Sequence, residues 1–454
     1  MTTLIPKFSL KNGGSTPTGA INRAINLKLA ETVSVLDFDA DSTGVTDSST
    51  AFTNAIATGK AVLIPKGTYK INLSIVTGNV TLIGDGVGQT VLSPYTTGAV
   101  ITINGDTNGA LANINISNLS IDGVNKTGHG ISVINTADTH GCDYLNFFNL
   151  NVSNCLNGLN VTGRSIWNKL YNCNFGSNKT GISVISAYAT NEWNLVGCTT
   201  NNNDIHGLYL KSTETNVGAA INWSFTNFNS EFNGADVTQA VSYGVYLENT
   251  INFVFNGLYL ENNGASLASQ NSYGIRFTGS VCRGFNLNGV WAVSSKYLIY
   301  VDAIGSSGVI DNVGYTSPLY GTSAITISSQ WNNGAKVQIG SAINGDISAP
   351  YDVNGISPIT QGTDFIGGGS GLTSLNLQFR KNITIDTRAG NTTLNTISGL
   401  ISGDKITIMN LAFSTSNTIT LATGLMINGA NTIAANTAKS YLLLGYPYGG
   451  LVEI

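Results

Sequence analysis

The feature of this sequence that most constrains its fold is a repeat of 25 to 30 residues in the middle of the chain. An apolar position recurs at steps of 29, 25, 25, 30, 30 and 30 residues, at Ile116, Leu145, Leu170, Leu195, Phe225, Phe255 and Phe285. A glycine followed by alternating apolar residues recurs beside it, at Gly130, Gly158, Gly181, Gly207, Gly244 and Gly274. Self-similarity of this period is typical of a stacked solenoid. Because each unit holds several short strand patterns and no helical periodicity, the repeat predicts a coil of parallel strands.

Stacked repeats turn sequence spacing into spatial contacts. In a coil of parallel strands, successive turns lie about 4.8 Å apart, so equivalent positions of neighbouring repeats contact one another. Eight residues after the apolar anchor, four successive repeats carry an asparagine, namely Asn178, Asn203, Asn233 and Asn263. Buried amides stacked in this way bond to one another and to the backbone of a tight bend. We therefore expect an internal asparagine ladder with a structural role.

The composition agrees with a large all-β protein and excludes several other classes. Hydrophobic residues make up 42% of the chain, charged residues only 10%, and the formal net charge is −4, which argues against disorder. No basic run offers a surface for a phosphate backbone, so nucleic acid is not expected as a partner. The sequence also lacks a long apolar stretch and the pattern of a signal peptide, so we expect a soluble protein that does not insert into a membrane.

The cysteines and histidines do not suggest a metal site. The five cysteines are scattered without a CxxC pair, and we expect Cys142, Cys155, Cys173, Cys198 and Cys282 to be small buried residues. The three histidines, His129, His140 and His206, are few and far apart in sequence. The sequence therefore predicts neither a metal nor a cofactor.

The pattern divides the chain into four segments. These are an N-terminal extension (1–31), the parallel coil (32–345), a linker rich in proline and glycine (346–371) and a C-terminal segment (372–454). The coil opens with a short helix that Thr46 and Asp47 can cap and Gly59 can close. Short alternating strands after the linker predict a C-terminal β-sandwich.

Five short motifs carry a resemblance to a known family. They are 15–23 (STPTGAINR), 35–40 (VLDFDA), 44–47 (GVTD), 64–69 (IPKGTY) and 84–90 (GDGVGQT). Together with the repeat, they resemble the pectate-lyase-like right-handed β-helix of bacteriophage tailspikes and capsular polysaccharide depolymerases. That pattern usually has glycine where Asp39 stands and aspartate where Ser48 stands. The resemblance covers roughly 15–340 and is more specific for the fold than for the sugar or for catalysis.

The resemblance implies an assembly and a location. Proteins of this kind are homotrimers held together by C-terminal β domains, and they act at the bacterial surface as part of the virion tail. The resemblance therefore implies that the C-terminal β-sandwich serves trimerisation or carbohydrate binding. The expected ligand is a bacterial surface polysaccharide, either a capsule or an O-antigen. Residues 1–31 are too short for a head-binding domain, so we expect either a trimmed chain or attachment through an adaptor protein of the tail.

A pair of glutamates is the leading candidate for catalysis. Glycosidic hydrolysis requires one carboxylic acid to protonate the leaving oxygen and a second carboxylate as nucleophile or base. Six residues after the anchor, successive repeats carry Glu231 and Glu261, followed by Trp291. We expect the two glutamates to be stacked neighbours beside the tryptophan, with the pKa of one raised by the other. The alternative is that they are solubilising surface residues.

The loops after these glutamates are the longest in the repeat and predict a substrate groove. Twelve residues, 232–243 and 262–273, separate each glutamate from the next glycine track, where the preceding repeat has five. The loops offer Asp236 as a further acid, and Gln239, Gln270 and Asn271 for binding hydroxyl groups. Asp204 and Glu214, on the neighbouring turn, are weaker catalytic candidates.

An outward column of Tyr209, Tyr246 and Arg276 could bind sugar rings, although a self-supporting stack or a trimer interface is favoured. Lys211 and Glu248 are expected to form a structural ion pair. The leading hypothesis is an endo-acting glycoside hydrolase. Its rivals are a non-catalytic receptor-binding spike and a polysaccharide lyase, for which His206 is a weak candidate base.

Overall fold

The computed structural model describes most of the coil and many separate strands after it. The described residues are 7–8, 23–136, 140–213, 220–236, 238–264, 271–303, 306–315, 325–327, 336–339, 364–367, 374–376, 382–386, 392–394, 396–398, 405–411, 418–421, 426–428, 432–434, 437–444 and 450–453. Helical segments within these residues are short: Ile25–Leu29, Ser49–Ala57, Gly105–Asn108 and the 3-10 turn Val35–Phe38. No helix among them is long and apolar enough to cross a membrane.

The predicted helix at the start of the coil is present as Ser49–Ala57, and it buries Ala51, Phe52 and Ala55. The Asp47 carboxylate accepts a hydrogen bond from the backbone N–H of Ser49, at 2.9 Å. Before this helix, Asp39 adopts a left-handed conformation with φ of 64°. That conformation favours glycine, which explains why the family pattern usually has glycine there.

The coil consists of three parallel ladders, which we call A, B and C. Ladder A contains Thr32–Ser34, Ala61–Ile64, Thr81–Gly84, Lys169–Tyr171, Asn194–Val196, Lys336–Ile339 and the first halves of Leu111–Asp122, Cys142–Ser153, Ser224–Glu231, Val254–Glu261 and Ser307–Tyr315. Ladder B contains Thr43–Asp47, Gly67–Lys70, Thr90–Ser93, Asn174–Phe175, Thr199–Asn201 and the second halves of those long strands. Ladder C contains Leu73–Ile75, Ile101–Asn104, Ile131–Ile134, Asn157–Thr162, Thr180–Ser186, His206–Ser212, Val241–Ile251, Tyr297–Val301 and Ile325–Ile327. The long strand Asn271–Val293 runs through ladders C, A and B in turn, and Ala220–Ile221 pairs with the end of Val241–Ile251.

The glycine track predicts the register of ladder C correctly. The residues that follow its six glycines pair in sequence order, namely Ile131, Leu159, Ile182, Leu208, Val245 and Ile275. The apolar anchor is right at Ile116 and from Leu170 to Phe255, but it is wrong by two residues at Leu145 and at Phe285. Ile116 pairs with Phe147 rather than Leu145, and Phe255 pairs with Leu287 rather than Phe285. A shift of two residues keeps every side chain on the same face of a strand, so the apolar pattern alone cannot detect it.

The interior contains the predicted asparagine ladder. Asn178, Asn203, Asn233 and Asn263 are fully or almost fully buried. The side-chain amide of Asn203 donates to the Asn233 carbonyl oxygen at 2.7 Å, and that of Asn233 donates to Asn263 at 2.8 Å. The carbonyl oxygen of Asn178 accepts the backbone N–H of Cys155. All five cysteines are buried and unpaired by disulfides, as expected.

Three further columns of residues with positive φ mark the outer bends of the coil. The column between ladders C and A contains Asn79, Asn113, Tyr144, Trp167, Glu192, Asn222, Asn252 and Gly284. The column between A and B contains Asn118, Asn149, Asn172, Gly197, Asn227, Gly257, Gly289 and Asn312. The column at the end of ladder B contains Asn154, Ser177, Asn202, Phe232, Asn262 and Ser294. Asparagine and glycine dominate because they tolerate the left-handed region best.

The strands after the linker pair in both directions. Asp364–Gly367, Asn382–Asp386 and Lys405–Leu411 form parallel pairs, while Lys405–Leu411, Ala438–Leu444 and Gly450–Glu453 form antiparallel pairs. Shorter strands are Ser374–Asn376, Thr392–Leu394, Thr396–Ser398, Ile419–Leu421, Met426–Asn428 and Thr432–Ile433. The C-terminal β-sandwich stays a prediction, and the linker lies mostly outside the described residues.

Candidate active site on ladder B

Glu231 and Glu261 lie on adjacent turns of ladder B, as the repeat predicts. They are paired in register at the ends of the strands Ser224–Glu231 and Val254–Glu261, and Asn201 pairs with Glu231 on the turn before. Their flanking residues Ser230 and Leu260 are fully buried, so the glutamates point out of the coil by strand alternation. Both carboxyl groups are half-buried.

The surroundings of the two carboxyl groups differ. Burial raises the pKa of Glu231, and the negative charge of Glu261 raises it further. Glu261 instead accepts two hydrogen bonds, from the Tyr259 hydroxyl at 2.7 Å and from the Asn262 amide at 3.1 Å. The same contact raises the pKa of Tyr259 to about 12 and keeps its hydroxyl a donor. The two carboxyl groups therefore lie in different surroundings, one partly buried next to a like charge and the other accepting two hydrogen bonds.

Trp291 does not stack on Glu261, which corrects the prediction from the repeat. The register instead pairs Trp291 with Tyr259 and pairs Val293 with Glu261. The misplacement follows from the two-residue shift at Phe285. Trp291 still faces outward, two residues along the strand from the carboxylate column, and remains exposed beside Tyr259.

The sequence reasoning overlooked Tyr259 and Phe232. Tyr259 precedes Glu261 by two residues, so strand alternation alone places both side chains on one face. Phe232 follows Glu231 in a column of bends otherwise occupied by asparagine and serine, has φ of 53°, and is 44% exposed. An aromatic residue next to a candidate acid, where the equivalent positions carry asparagine or serine, is the sequence signal that could have identified it.

Asp236 and Asp204 are engaged in contacts of their own. The Asp236 carboxylate accepts hydrogen bonds from the Thr238 hydroxyl, the Thr238 backbone N–H and the Gln239 amide. The bonds from Thr238 are the main cause of the lowered pKa of Asp236, which suits an anion and not an acid. The Asp204 carboxylate is paired with the Lys126 ammonium group at 2.7 Å. Neither residue is brought to the glutamate pair by a described contact.

Of the predicted groove residues, Gln239 belongs to this Asp236 turn, and the Asn271 carbonyl oxygen accepts a hydrogen bond from Lys296 at 2.9 Å. Glu214 and Gln270 lie outside the described residues. Their catalytic and binding roles stay predictions.

The tyrosine column on ladder C is largely self-supporting. Tyr209 and Tyr246 stack with ring centroids 4.6 Å apart, and Tyr246 is only 8% exposed. Arg276 pairs with Asp302 and donates to the Tyr243 hydroxyl at 3.1 Å. Little ring surface remains here for a sugar within one chain.

Two other expectations concern His206 and Lys211. Burial lowers the pKa of His206 to about 4, and its Nδ1 accepts the backbone N–H of Tyr243, so a role as a lyase base is not favoured. The predicted ion pair between Lys211 and Glu248 is present at 3.1 Å. Among the described residues, no group of three or more His, Cys, Asp or Glu side chains could hold a metal ion.

Comparison with known proteins agrees with this architecture. Residues 32–237 match the family described as rhamnogalacturonase A/epimerase, pectate lyase-like. This part of the coil is therefore similar to pectate-lyase-like proteins. The fold and superfamily predicted from the motifs are therefore confirmed for this part of the chain. No curated protein sequence matches the chain significantly.

Several solved structures share the β-helix. ORF18 of Geobacillus virus E2 has a TM-score of 0.56 at 19% identity, with 74% of this chain and 68% of that one covered. The A-module of the mannuronan C-5 epimerase AlgE4 of Azotobacter vinelandii has a TM-score of 0.53 at 15% identity, covering 81% and 96%. The enzymatically active domain of tailspike protein 2 of bacteriophage CBA120 has a TM-score of 0.53 at 16% identity, covering 94% and 61%. Likeness at this level of identity shows a shared fold and leaves the reaction open.

Proposed function

We propose that the protein is a bacteriophage tailspike that binds and hydrolyses a bacterial surface polysaccharide, with Glu231 and Glu261 as its catalytic pair. The single observation that carries the proposal is the direct pairing of two outward glutamates, of which Glu231 has a raised pKa and Glu261 accepts a hydrogen bond from Tyr259. The resemblance of the N-terminal motifs to tailspikes, and the fold shared with a phage tailspike domain, support the biological setting. The protein would then act at the cell surface as part of a virion tail.

The chemistry follows from the two environments. Glu231, with its raised pKa, would donate a proton to the glycosidic oxygen as the bond to the anomeric carbon breaks. Glu261, held by Tyr259 and Asn262, would act as the ionised nucleophile or base. Phe232 and Trp291 are exposed aromatic rings on either side of this pair, suited to contact the C–H faces of sugar rings.

The test is cleavage of purified capsular and O-antigen polysaccharides by single variants. Loss of a general acid or base lowers the rate by about 10²- to 10⁴-fold, so Glu231→Gln and Glu261→Gln should each lose activity on this scale. Glu248→Gln is the matched control, because Glu248 also lies on the outside of the coil but is paired with Lys211. It should retain activity.

The products distinguish the remaining candidates. Hydrolysis yields saturated oligosaccharides, a lyase yields unsaturated products that absorb in the ultraviolet, and a receptor-binding spike yields none. Full activity in both glutamine variants would contradict the proposed pair. Unsaturated products would contradict hydrolysis while leaving the polysaccharide as substrate.

A further inference from the structure

The bends between ladders C and A depart from their usual residue types at three positions. Four of the eight residues in this column are asparagine and one is glycine, the residues that best tolerate positive φ. At three successive turns the column instead carries Tyr144, with φ of 55°, Trp167, with φ of 60°, and Glu192, with φ of 57°. Large side chains at positive φ are backbone outliers, and such strain persists where it serves a purpose other than stability.

The two aromatic rings are exposed and aligned. The centroids of Tyr144 and Trp167 are 5.0 Å apart with an interplanar angle of 19°, and the residues are 44% and 40% exposed. A stack that served packing alone would bury its rings, as the stacked Trp193 and Trp223 do in the interior. The two rings stack on each other, and the part of each residue that the stack does not cover is apolar surface open to solvent.

A second aromatic pair lies farther along the same two strands. Phe148, which is 50% exposed, is paired in register with Tyr171 on the next turn of ladder A. Phe148 lies four residues beyond Tyr144, which is roughly 13 Å of extended strand. Lys169 is exposed between the two aromatic pairs, and none of the ion pairs among the described residues includes it. The nearby Asp143 carboxylate is already occupied by Arg164 and by the backbone N–H of Ile166.

We propose that this patch, formed by Tyr144, Trp167, Phe148, Tyr171 and Lys169, is a second, non-catalytic binding site for an acidic polysaccharide. Sugar rings present apolar C–H faces that stack on aromatic rings, and the ammonium group of Lys169 pairs with a carboxylate or sulfate of the glycan. Two apolar surfaces separated by a charged group suit a chain of sugars better than a protein surface, whose buried centre is depleted of lysine.

The patch is separate from the proposed catalytic pair. Trp167 and Tyr171 lie two turns before Glu231, a displacement of roughly 10 Å along the coil, and on ladder A instead of ladder B. A glycan can therefore bind to the patch without contacting Glu231 or Glu261. The inference shares a glycan ligand with the proposed function but stands or falls on different residues.

The experiment measures binding and stability together, in the Glu231→Gln background so that cleavage does not remove the ligand. The probes are alginate and hyaluronan as acidic glycans, dextran as a neutral one, and an array of bacterial capsular polysaccharides. The double variant Tyr144→Asn/Trp167→Asn places in the column the residue that it otherwise prefers. We expect it to bind the acidic glycans of the panel roughly 10-fold more weakly and to melt about 1–4 °C higher.

Val124→Asn is the matched control, since Val124 is also exposed and has φ of 69° but lies outside the patch. It should raise the melting temperature without changing glycan affinity. Lys169→Met should remove the preference for acidic over neutral glycans.

Three results would overturn the inference. The first is an unchanged glycan affinity of the double variant. The second is a lower melting temperature of the double variant, which would assign the rings a packing role. The third is that the Glu231→Gln parent binds no acidic glycan. A change in the number of associated chains would instead make the patch an interface. The proposed hydrolysis is tested separately, by the oligosaccharide products that the wild-type protein forms.

Discussion

At the scale of single residues, the neighbours of a side chain differ even between identical residues at equivalent positions of the repeat. Glu231 and Glu261 occupy equivalent positions on adjacent turns, yet only Glu261 has a tyrosine two residues before it, because Asn229 stands at that position on the turn of Glu231. The Tyr259 hydroxyl donates a hydrogen bond to Glu261, while burial and the charge of Glu261 raise the pKa of Glu231. A repeat that duplicates a carboxylate thus needs one further substitution to give the two copies different surroundings.

The raised pKa of Glu231 predicts a pH-dependent stability difference. Folding favours protonated Glu231, so ionisation weakens the folded state as the pH rises above the ordinary value of 4.5. Glu231→Gln removes this titration, and we expect the variant to melt slightly higher than the wild type near neutral pH. Below pH 4.5 the two proteins should converge, because Glu231 is then protonated in both the folded and the unfolded state. The same difference in melting temperature between the two proteins at every pH would contradict this prediction.

At the scale of structural elements, stacked asparagines stabilise the bends in two distinct ways. In the outer columns, asparagine tolerates positive φ, and neighbours such as Asn149 and Asn172 bond at 3.1 Å. In the interior, the amide of Asn233 donates to Asn263, to the backbone oxygen of Thr200 and to the Ser230 hydroxyl. The interior amides are therefore structural, as the sequence indicates.

Removal of one interior amide should destabilise the coil measurably. Asn233→Ala leaves partners on neighbouring turns unsatisfied in a buried site, which costs about 2–4 kcal/mol of unfolding free energy. Asn202→Gly is the matched control, because Asn202 is exposed with φ of 52° and glycine adopts that conformation freely. Thermal and urea unfolding should separate the two variants clearly. Equal melting temperatures would argue against a stabilising ladder.

At the scale of the whole molecule, the contacts within the coil account for the fold of one chain, but they do not say how chains associate. The helix Ile25–Leu29 buries none of its residues, and Leu27 and Leu29 are 60% and 71% exposed. Exposed leucines on a short helix favour contact with another chain. On the basis of the resemblance to tailspikes, we propose that the protein assembles as a homotrimer.

We therefore expect three chains in solution. Multi-angle light scattering should give a mass about three times the 47.5 kDa of one chain. Leu27→Lys/Leu29→Lys should weaken the assembly if this helix lies at the contact between chains. A wild-type mass equal to that of one chain would contradict the trimer.

The sequence by itself determined the β-helix, the ladder C register, the interior asparagines and the pairing of Glu231 with Glu261. It could do so because adjacent turns of a solenoid convert a fixed spacing directly into contact. Where the turns differ in length, as around Leu145 and Phe285, the two-residue alternation of a strand left the register ambiguous, and Trp291 was misplaced as a result.

Only the tertiary structure decided which carboxylate is held by Tyr259, and which bends carry strained aromatic rings. Hydrogen bonds between columns depend on side-chain reach, and strain depends on φ, neither of which is encoded in the spacing of a repeat. The same limit applies to Asp204, whose ion pair with Lys126 joins loops of different turns.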